Sequence, residues 1–238
     1  MGVGRYRASP PEDCEYLIEK LCIWLNTEIK EPKEELKIAF GILRSIIAHL
    51  YFAWIHPFGD GNGRVARLIE FQTLISSGVP SAAAHLLSNH YNATRAIYYK
   101  KLDESSQSND GEFSFIEYAL EGFIDGLKDQ LTEIKKQQLE VTWESYIHTM
   151  FKGKDSPANS RKRHLIIDLS KEDYFIPTAK IREISPRIAA EYAKKSSRTF
   201  IRDVKKLLQM DLVEISATKG IRAKKEKILA FLPCRVSN

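Results

Sequence analysis

The sequence predicts a mainly α protein: a helical core that opens on a short β segment, followed by a small α+β module. Three observations carry this. Apolar residues recur every three to four positions over most of residues 12–150, the period of helices that bury one face. A glycine-rich turn at residues 59–63 interrupts the pattern, and the apolar run from Val65 to Leu74 resumes it as a new helix. Past residue 151 the charge changes sign. Residues 1–151 hold 15 Lys+Arg against 21 Asp+Glu, whereas residues 152–238 hold 21 against 10. The net charge of +5 therefore belongs to the C-terminal third, which points to a separate domain with an anionic partner. Two domains are expected, 1–151 and 152–238.

A hydrophobic content of 43% and a charged content of 28% are ordinary for a globular chain. Cys14, Cys22 and Cys234 lack metal-site spacing and obvious pairing, so a reducing compartment, the cytoplasm, is expected, with Cys22 packed as a small apolar residue. No uninterrupted apolar run approaches ~18 residues, and no membrane is expected.

In chain order, Met1 to Pro11 alternates like one extended strand. Glu12 to Asn26 predicts a helix with Tyr16, Leu17, Leu21, Trp24 and Leu25 on its apolar side. Pro32 suits a helix start. Leu36, Phe40, Leu43, Ile47, Leu50 and Trp54 then follow at three-to-four spacing and run the helix into Ile55-His56. His49 inside it is expected to be a packed or surface histidine, not a second catalytic group. Ser76-Ser77-Gly78-Val79-Pro80 is a stop. Further helices are expected over 82–87 and 92–102, a polar loop over 105–111 in which Asn109 could reach a ligand, and a long helix over 113–150.

The stretch His56-Pro57-Phe58-Gly59-Asp60-Gly61-Asn62-Gly63-Arg64-Val65-Ala66-Arg67 concentrates the chemistry. A glycine turn opening a helix aims several backbone N–H groups at one spot, where the helix dipole also favours negative charge. Arg64 and Arg67, three apart, project from one side of the first turn. Asp60 supplies a hard oxygen suited to Mg²⁺. His56, at the expected end of a helix, can exchange a proton near neutral pH. Nest, arginines, carboxylate and base together describe a site for a metal-bound polyphosphate. It is not the Walker P-loop, since no Gly-x-x-x-x-Gly-Lys-Ser/Thr occurs.

This stretch resembles the signature of the Fic (Fido) family, His-Pro-Phe-x-Asp/Glu-Gly-Asn-Gly-Arg-x-x-Arg, at every fixed position. The resemblance implies a Fic-type helical core with a short β flap and transfer of AMP from ATP to a protein hydroxyl, with Mg²⁺. The acidic fifth residue, Asp60, resembles the AMP-transferring kind. His56 would be the general base toward a target Ser, Thr or Tyr, and Asp60 would hold Mg²⁺ between the α- and β-phosphates. Gly59, Gly61, Asn62 and Gly63 would cradle phosphate, Asn62 adding a side-chain N–H. Arg64 would meet the β-phosphate and Arg67 the γ-phosphate, guanidinium geometry suiting both. Pro57 and Phe58 would anchor the loop in the core.

Val3, Gly4, Arg5 and Tyr6 lie where the family carries its flap, counted with the nucleotide site, and the chain is expected to begin inside it. Trp24-Leu25-Asn26 supports that register. Such a flap docks a target backbone by strand addition. Tyr98 and Tyr99 resemble a Tyr-Tyr pair near the adenosine end, where a ring could stack on adenine and a phenol reach a ribose or phosphate oxygen. The family's inhibitory pattern, Ser/Thr-x-x-x-Glu-Gly/Asn, is not met at Glu121-Gly122, because Glu117 stands where Ser or Thr should be. An unrepressed enzyme is expected.

Residues 152–160 form the expected boundary. Beyond it, helices are expected over 161–169, 180–183, 186–195 (Ser185 as N-cap before Pro186) and 199–210. A strand follows over Leu212-Val213-Glu214-Ile215, and Gly220 turns into a second over Ile228-Leu229-Ala230-Phe231. Helices followed by a hairpin resemble a winged helix. Arg198, Arg202, Lys205 and Lys206 would lie on or beside its recognition helix, and Lys219, Arg222, Lys224, Lys225 and Lys227 in its wing, suited to DNA phosphates. A dimerisation or protein-docking module is the other reading of this third. The partners expected are ATP and a hydroxyl-bearing target protein, with DNA and a homodimer as further candidates. An enzyme competes with a DNA-binding regulator whose core is secondary or inactive. Retention of base, carboxylate and both arginines favours the enzyme.

Overall fold

The computed structural model describes residues 2–3, 6–7, 9–27, 33–107 and 110–231. It is mainly helical, as expected. The expectations for Gly4, Arg5, Pro32, Asn109 and Cys234 fall outside the described residues. The chain separates into two compact units, Met1–Gln130 and Leu131–Asn238.

In the first unit, strands β1 (Gly2–Val3) and β2 (Tyr6–Arg7) pair antiparallel, Gly2 facing Arg7 and Val3 facing Tyr6. One expected extended strand is thus two short ones. Helix α1 (Pro11–Asn26) starts on a proline at its first position, with Glu12 and Asp13 facing the positive end of its dipole. Leu21 is buried, but Tyr16, Cys22 and Trp24 are exposed, which corrects the expected burial of Cys22 and of this helix's full apolar side.

A 3₁₀ turn (Glu34–Leu36) leads into α2 (Lys37–Ile55), the central helix of the unit. Ile46, Ala48, Leu50, Phe52 and Ile55 are buried, whereas Leu36 and Phe40, counted on the same stripe, are largely exposed. By length and composition alone, Glu34–Ile55 could cross a membrane, although charged residues interrupt its apolar run. Half of it is buried in the protein, and it packs along α3 (Asn62–Ser76).

Short helices α4 (Ser81–Ala84), α5 (Leu86–Ala93) and α6 (Arg95–Ser105) follow, then α7 (Gly111–Met150). The helix expected over 92–102 is broken at Thr94, whose hydroxyl donates to the His90 carbonyl at 2.7 Å. Ile46, Leu50, Leu74, Leu87, Tyr91 and Phe115 centre the core.

The second unit begins inside α7, not at residue 152. Trp143, Ile147 and Phe151, four apart, bury themselves with Leu165, Ile188 and Phe200. Helices α8 (Pro157–Leu169), α9 (Pro186–Tyr192) and α10 (Ser197–Gln209) are each capped by a serine, Ser156, Ser185 and Ser196, accepting from the backbone N–H three residues on. Strands β3 (Val213–Ser216) and β4 (Gly220–Ala223) pair antiparallel, and Ile176 adds a bridge to Ile221 with two 2.9 Å bonds.

The second strand therefore starts at Gly220, and the segment 228–231 expected as strand belongs to a 3₁₀ helix, Lys225–Phe231. Gly220 has φ 113° and sits where a Cβ would collide with the Ile176 carbonyl, so the tight approach fixes the register. The shift moves the basic cluster. Arg222 faces Glu214 across the hairpin and also pairs with Glu226, Lys224 and Lys227 both pair with Asp211, and Lys225 is buried against Asp173. Arg222 and Lys224 are thus paired with carboxylates of their own unit.

Candidate functional site

The loop between α2 and α3 is built by two left-handed residues. His56 ends α2 at φ 49° and ψ 52°, its N–H still bonded to the Phe52 carbonyl at 3.1 Å. Gly61, at φ 90°, caps α3, and its carbonyl receives the N–H groups of Arg64 and Val65 at 3.0 Å. A non-glycine residue in the left-handed region is uncommon, and here it is a residue that lines the cleft beside the loop.

Asn62 locks the loop from within. Its Oδ1 accepts the Phe58 N–H at 2.9 Å and its Nδ2 donates to the Phe58 carbonyl at 2.5 Å. One of the two N–H groups of its side-chain amide is therefore committed to the loop backbone. The first-turn amides of Asn62 and Gly63 lack intrahelical acceptors by helix geometry. Phe58 is half exposed, its ring 6.2 Å from that of Phe52, so it lies against the core's edge and does not anchor within it.

A cleft of about 120 Å³ lies beside this loop. His56, Asn62, Gly63 and Arg67 line one part of it, Tyr98 and Tyr99 another. Six expected site residues from three helices thus meet in one cavity. Gly59, Asp60, Gly61 and Arg64 adjoin it in the loop and first turn without lining it. Arg64 donates to Asp60 at 2.7 Å, with both side chains largely exposed. Val3 and Tyr6 are described only as strand residues.

The lining also includes Trp54 and Asp103, which sequence reasoning missed. Trp54 read only as part of an apolar stripe, and its indole N–H reaches Ser105 Oγ at 3.2 Å. Asp103 follows Tyr99 by four positions on α6, a spacing that could have placed both on one face.

The two tyrosines differ. Tyr98 is buried, while Tyr99 is exposed, with the Arg95 guanidinium 5.7 Å from its ring centre. Burial, and then the carboxylate of Glu70, push the Tyr98 phenol well above its ordinary pKa, with Arg67 pulling the other way. It stays protonated.

In the second unit, Arg198, Arg202, Lys205 and Lys206 are exposed on α10. The opposite face of α10 is buried through Phe200, Val204 and Leu207, and through Asp203, which accepts from Arg161 and Tyr192.

The first unit is thus a helical protein whose left-handed histidine and glycine-capped helix form one side of a polar cleft. Residues 1–74 match the Fic/DOC family model. The chain is 34% identical over 103 residues to "Protein adenylyltransferase fic-1" of Caenorhabditis briggsae, covering 42% of this chain and 17% of that protein. It is 30% identical over 116 residues to "Protein adenylyltransferase Fic" of Nematostella vectensis, covering 44% and 24%. With "Probable protein adenylyltransferase aq_aa38" of Aquifex aeolicus it shares 32% over 92 residues, covering 39% and 26%. The matched stretch spans about a quarter or less of each of these relatives. The crystal structure of a Fic family protein from Desulfovibrio desulfuricans G20 aligns at 20% identity and a TM-score of 0.44, over 94% of this chain and 59% of that one.

Proposed function

We propose that the chain is a protein adenylyltransferase, a nucleotidyltransferase that moves AMP from ATP to a Ser, Thr or Tyr hydroxyl of a target protein and releases pyrophosphate. The observation that carries this reading is the shared cleft, which brings an acid–base group (His56), an anion-binding helix start with Arg67, and aromatic side chains into one cavity.

His56 accepts the proton of the attacking hydroxyl, and the oxygen then bonds to the α-phosphorus as the bond to the bridging oxygen of pyrophosphate breaks. Positioned proton transfer of this kind contributes ~10²–10⁴-fold. The amides of Asn62 and Gly63 and the guanidinium of Arg67 hold the phosphates, and Arg64 reaches them from the rim. Trp54, Tyr98 and Tyr99 offer flat surface to the base. The β1–β2 ladder is the element assigned to hold a target strand.

The donor set fits magnesium held mainly by phosphate oxygens, since Mg²⁺ commonly takes only one or two carboxylates beside a substrate's phosphates. Asp60 is an exposed carboxylate beside the cleft. Among the described residues no group of three or more His, Cys, Asp or Glu side chains could hold a metal by itself. When bound, the ion would offset charge on the departing pyrophosphate.

For the second unit, the order of helices, bridge and hairpin supports a winged-helix reading, and the exposed basic residues of α10 support duplex DNA as its partner. A DNA-binding regulator with a secondary Fic core is the competing reading that this surface favours. The free thiols of Cys14 and Cys22 are consistent with the cytoplasm.

Incubation with ATP labelled on the α-phosphate tests the enzyme reading. Covalent label on the chain itself or on a lysate protein, absent with γ-labelled ATP, is expected. Label from neither, in a chain that binds duplex DNA, would leave the regulator.

A further inference from the structure

Behind the cleft lies a polar cluster that the proposed chemistry does not use. His49 of α2 and Glu70 of α3 are 0% and 1% exposed. Tyr91 of α5 donates to Glu70 Oε1 at 2.9 Å. His49 Nδ1 faces Glu70 Oε2 at 3.5 Å, and His49 Nε2 meets the Tyr98 hydroxyl at 3.0 Å. The His49 ring is otherwise enclosed by aromatic rings, those of Tyr91 and Phe115 lying 5.0 and 6.1 Å away.

The proton positions follow from elementary electrostatics. A lone pair on Nδ1 aimed at the buried carboxylate 3.5 Å away would repel it, and among the described residues that nitrogen has no hydrogen-bond partner, so the contact is electrostatic. Nδ1 therefore carries the proton. In the neutral ring Nε2 is then the acceptor, and the Tyr98 O–H donates to it. A carboxylate and a histidine in an aromatic core add little net stability over well-packed apolar groups, whereas they do fix direction. The end of this chain of contacts is the Tyr98 ring, which belongs to the buried core and also lines the cleft.

We propose that Glu70 and His49 are positioning residues, which tie down the Tyr98 hydroxyl from behind and so set its ring as a rigid wall against which the nucleotide packs. The proposal rests on the nucleotide reading of the cleft. It assigns the Tyr98 hydroxyl to the protein interior, so Tyr98 contributes ring surface to the ligand. A phenol contact with a ribose or phosphate oxygen falls to Tyr99. It also links the wall to the phosphate end, because Glu70 stands one turn past Arg67 on α3.

The test has two parts, both on the full chain. First, ¹⁵N NMR of the histidine-labelled protein should give His49 an N–H at Nδ1 and an acceptor at Nε2, the latter shifting in Tyr98→Phe. A proton found on Nε2 overturns the proposal, and no ligand is needed to see it. Second, calorimetric titration with MgATP should show Glu70→Gln and Tyr98→Phe each weakening binding by roughly ten-fold, and the double variant no weaker than the weaker single one, because one chain of bonds is broken twice. Fold-losses that multiply, in variants with a native melting transition, overturn the positioning role alone. A parent chain that binds no MgATP overturns the reading of the cleft and the positioning role with it.

Discussion

The Arg64 guanidinium donates to the Asp60 carboxylate across 2.7 Å, one helical turn apart and largely open to water. An exposed pair of this kind is worth about 1 kcal/mol or less, so ligands can separate it at little cost. A phosphate can take Arg64 and a magnesium ion Asp60. Replacing Asp60 by Ala should lower transfer by at least ~10-fold and raise the Mg²⁺ needed for half-maximal activity. The melting temperature should move by less than about 3 °C. A magnesium titration unchanged by the substitution would remove Asp60 from the metal's ligands.

His56 supplies a proton acceptor and no phosphate contact in the proposed reaction. His56→Ala should therefore keep ATP affinity within about two-fold while transfer drops by ~10²–10⁴. Self-labelling at the parent rate would give the base role to another group.

Arg67 lines the cleft and Arg64 does not. Truncating them one at a time should separate their roles. Arg67→Ala is expected to weaken ATP binding by roughly ten-fold or more, as loss of a charge-assisted bond at a partly enclosed site does, and Arg64→Ala by less. Equal losses measured by titration would mean that the cleft as described is not where the phosphates lie.

Much of the site was legible because its geometry is local. Three glycines in five residues can only be a turn, and an apolar run after it can only start a new helix, so His56 at a helix end and Gly61 at a helix start were within reach of the sequence. What escaped were contacts between distant segments. Nothing near Glu70 announces Tyr91, and nothing near His49 announces Tyr98. The second hairpin strand was misplaced for the same reason: Ile228 to Phe231 is as apolar as a strand, but the partner that selects Gly220–Ala223 is Ile176, more than forty residues earlier. The unit boundary was set too late because Gly153 and Pro157 look like a linker. Trp143, Ile147 and Phe151 share a helix with the first unit yet bury themselves in the second core.

DNA binding, if the second unit does it, should now depend on α10. Charge reversal of Arg202 and Lys205 to Glu should reduce both affinity for a duplex and the slope of log affinity against log salt, since each phosphate contact contributes close to one unit of slope. Arg222→Ala should have little effect on that slope, because Glu214 and Glu226 already hold the side chain. An equal change in slope for the hairpin and helix variants would return the hairpin to the interface.

Asp168 gives the second unit a dependence on acid. Its side chain is 3% exposed at the end of α8 and accepts from Ser185 Oγ at 2.7 Å and from Arg187 at 2.7 and 3.2 Å, with Lys171 at 3.2 Å. Burial alone would raise its pKa, but the hydrogen bonds from Ser185, Arg187 and Lys171 outweigh it and hold the carboxyl below its ordinary value. A group depressed in the folded state adds stability that is complete above its unfolded pKa, about 3.9, and lost as pH falls through the folded value. Melting of the second unit should therefore be insensitive to this group near neutrality and should fall below about pH 4. Asp168→Asn should cost roughly 2–3 kcal/mol at pH 7, in line with charge-assisted bonds to a buried group, and the cost should shrink as the pH falls. The same substitution leaves Ser185 its bond to the backbone of Ile188, so the N-cap of α9 survives and the loss isolates the carboxylate's charge. Parallel melting curves for parent and variant at every pH from 7 to 3 would show that the carboxylate's charge contributes nothing.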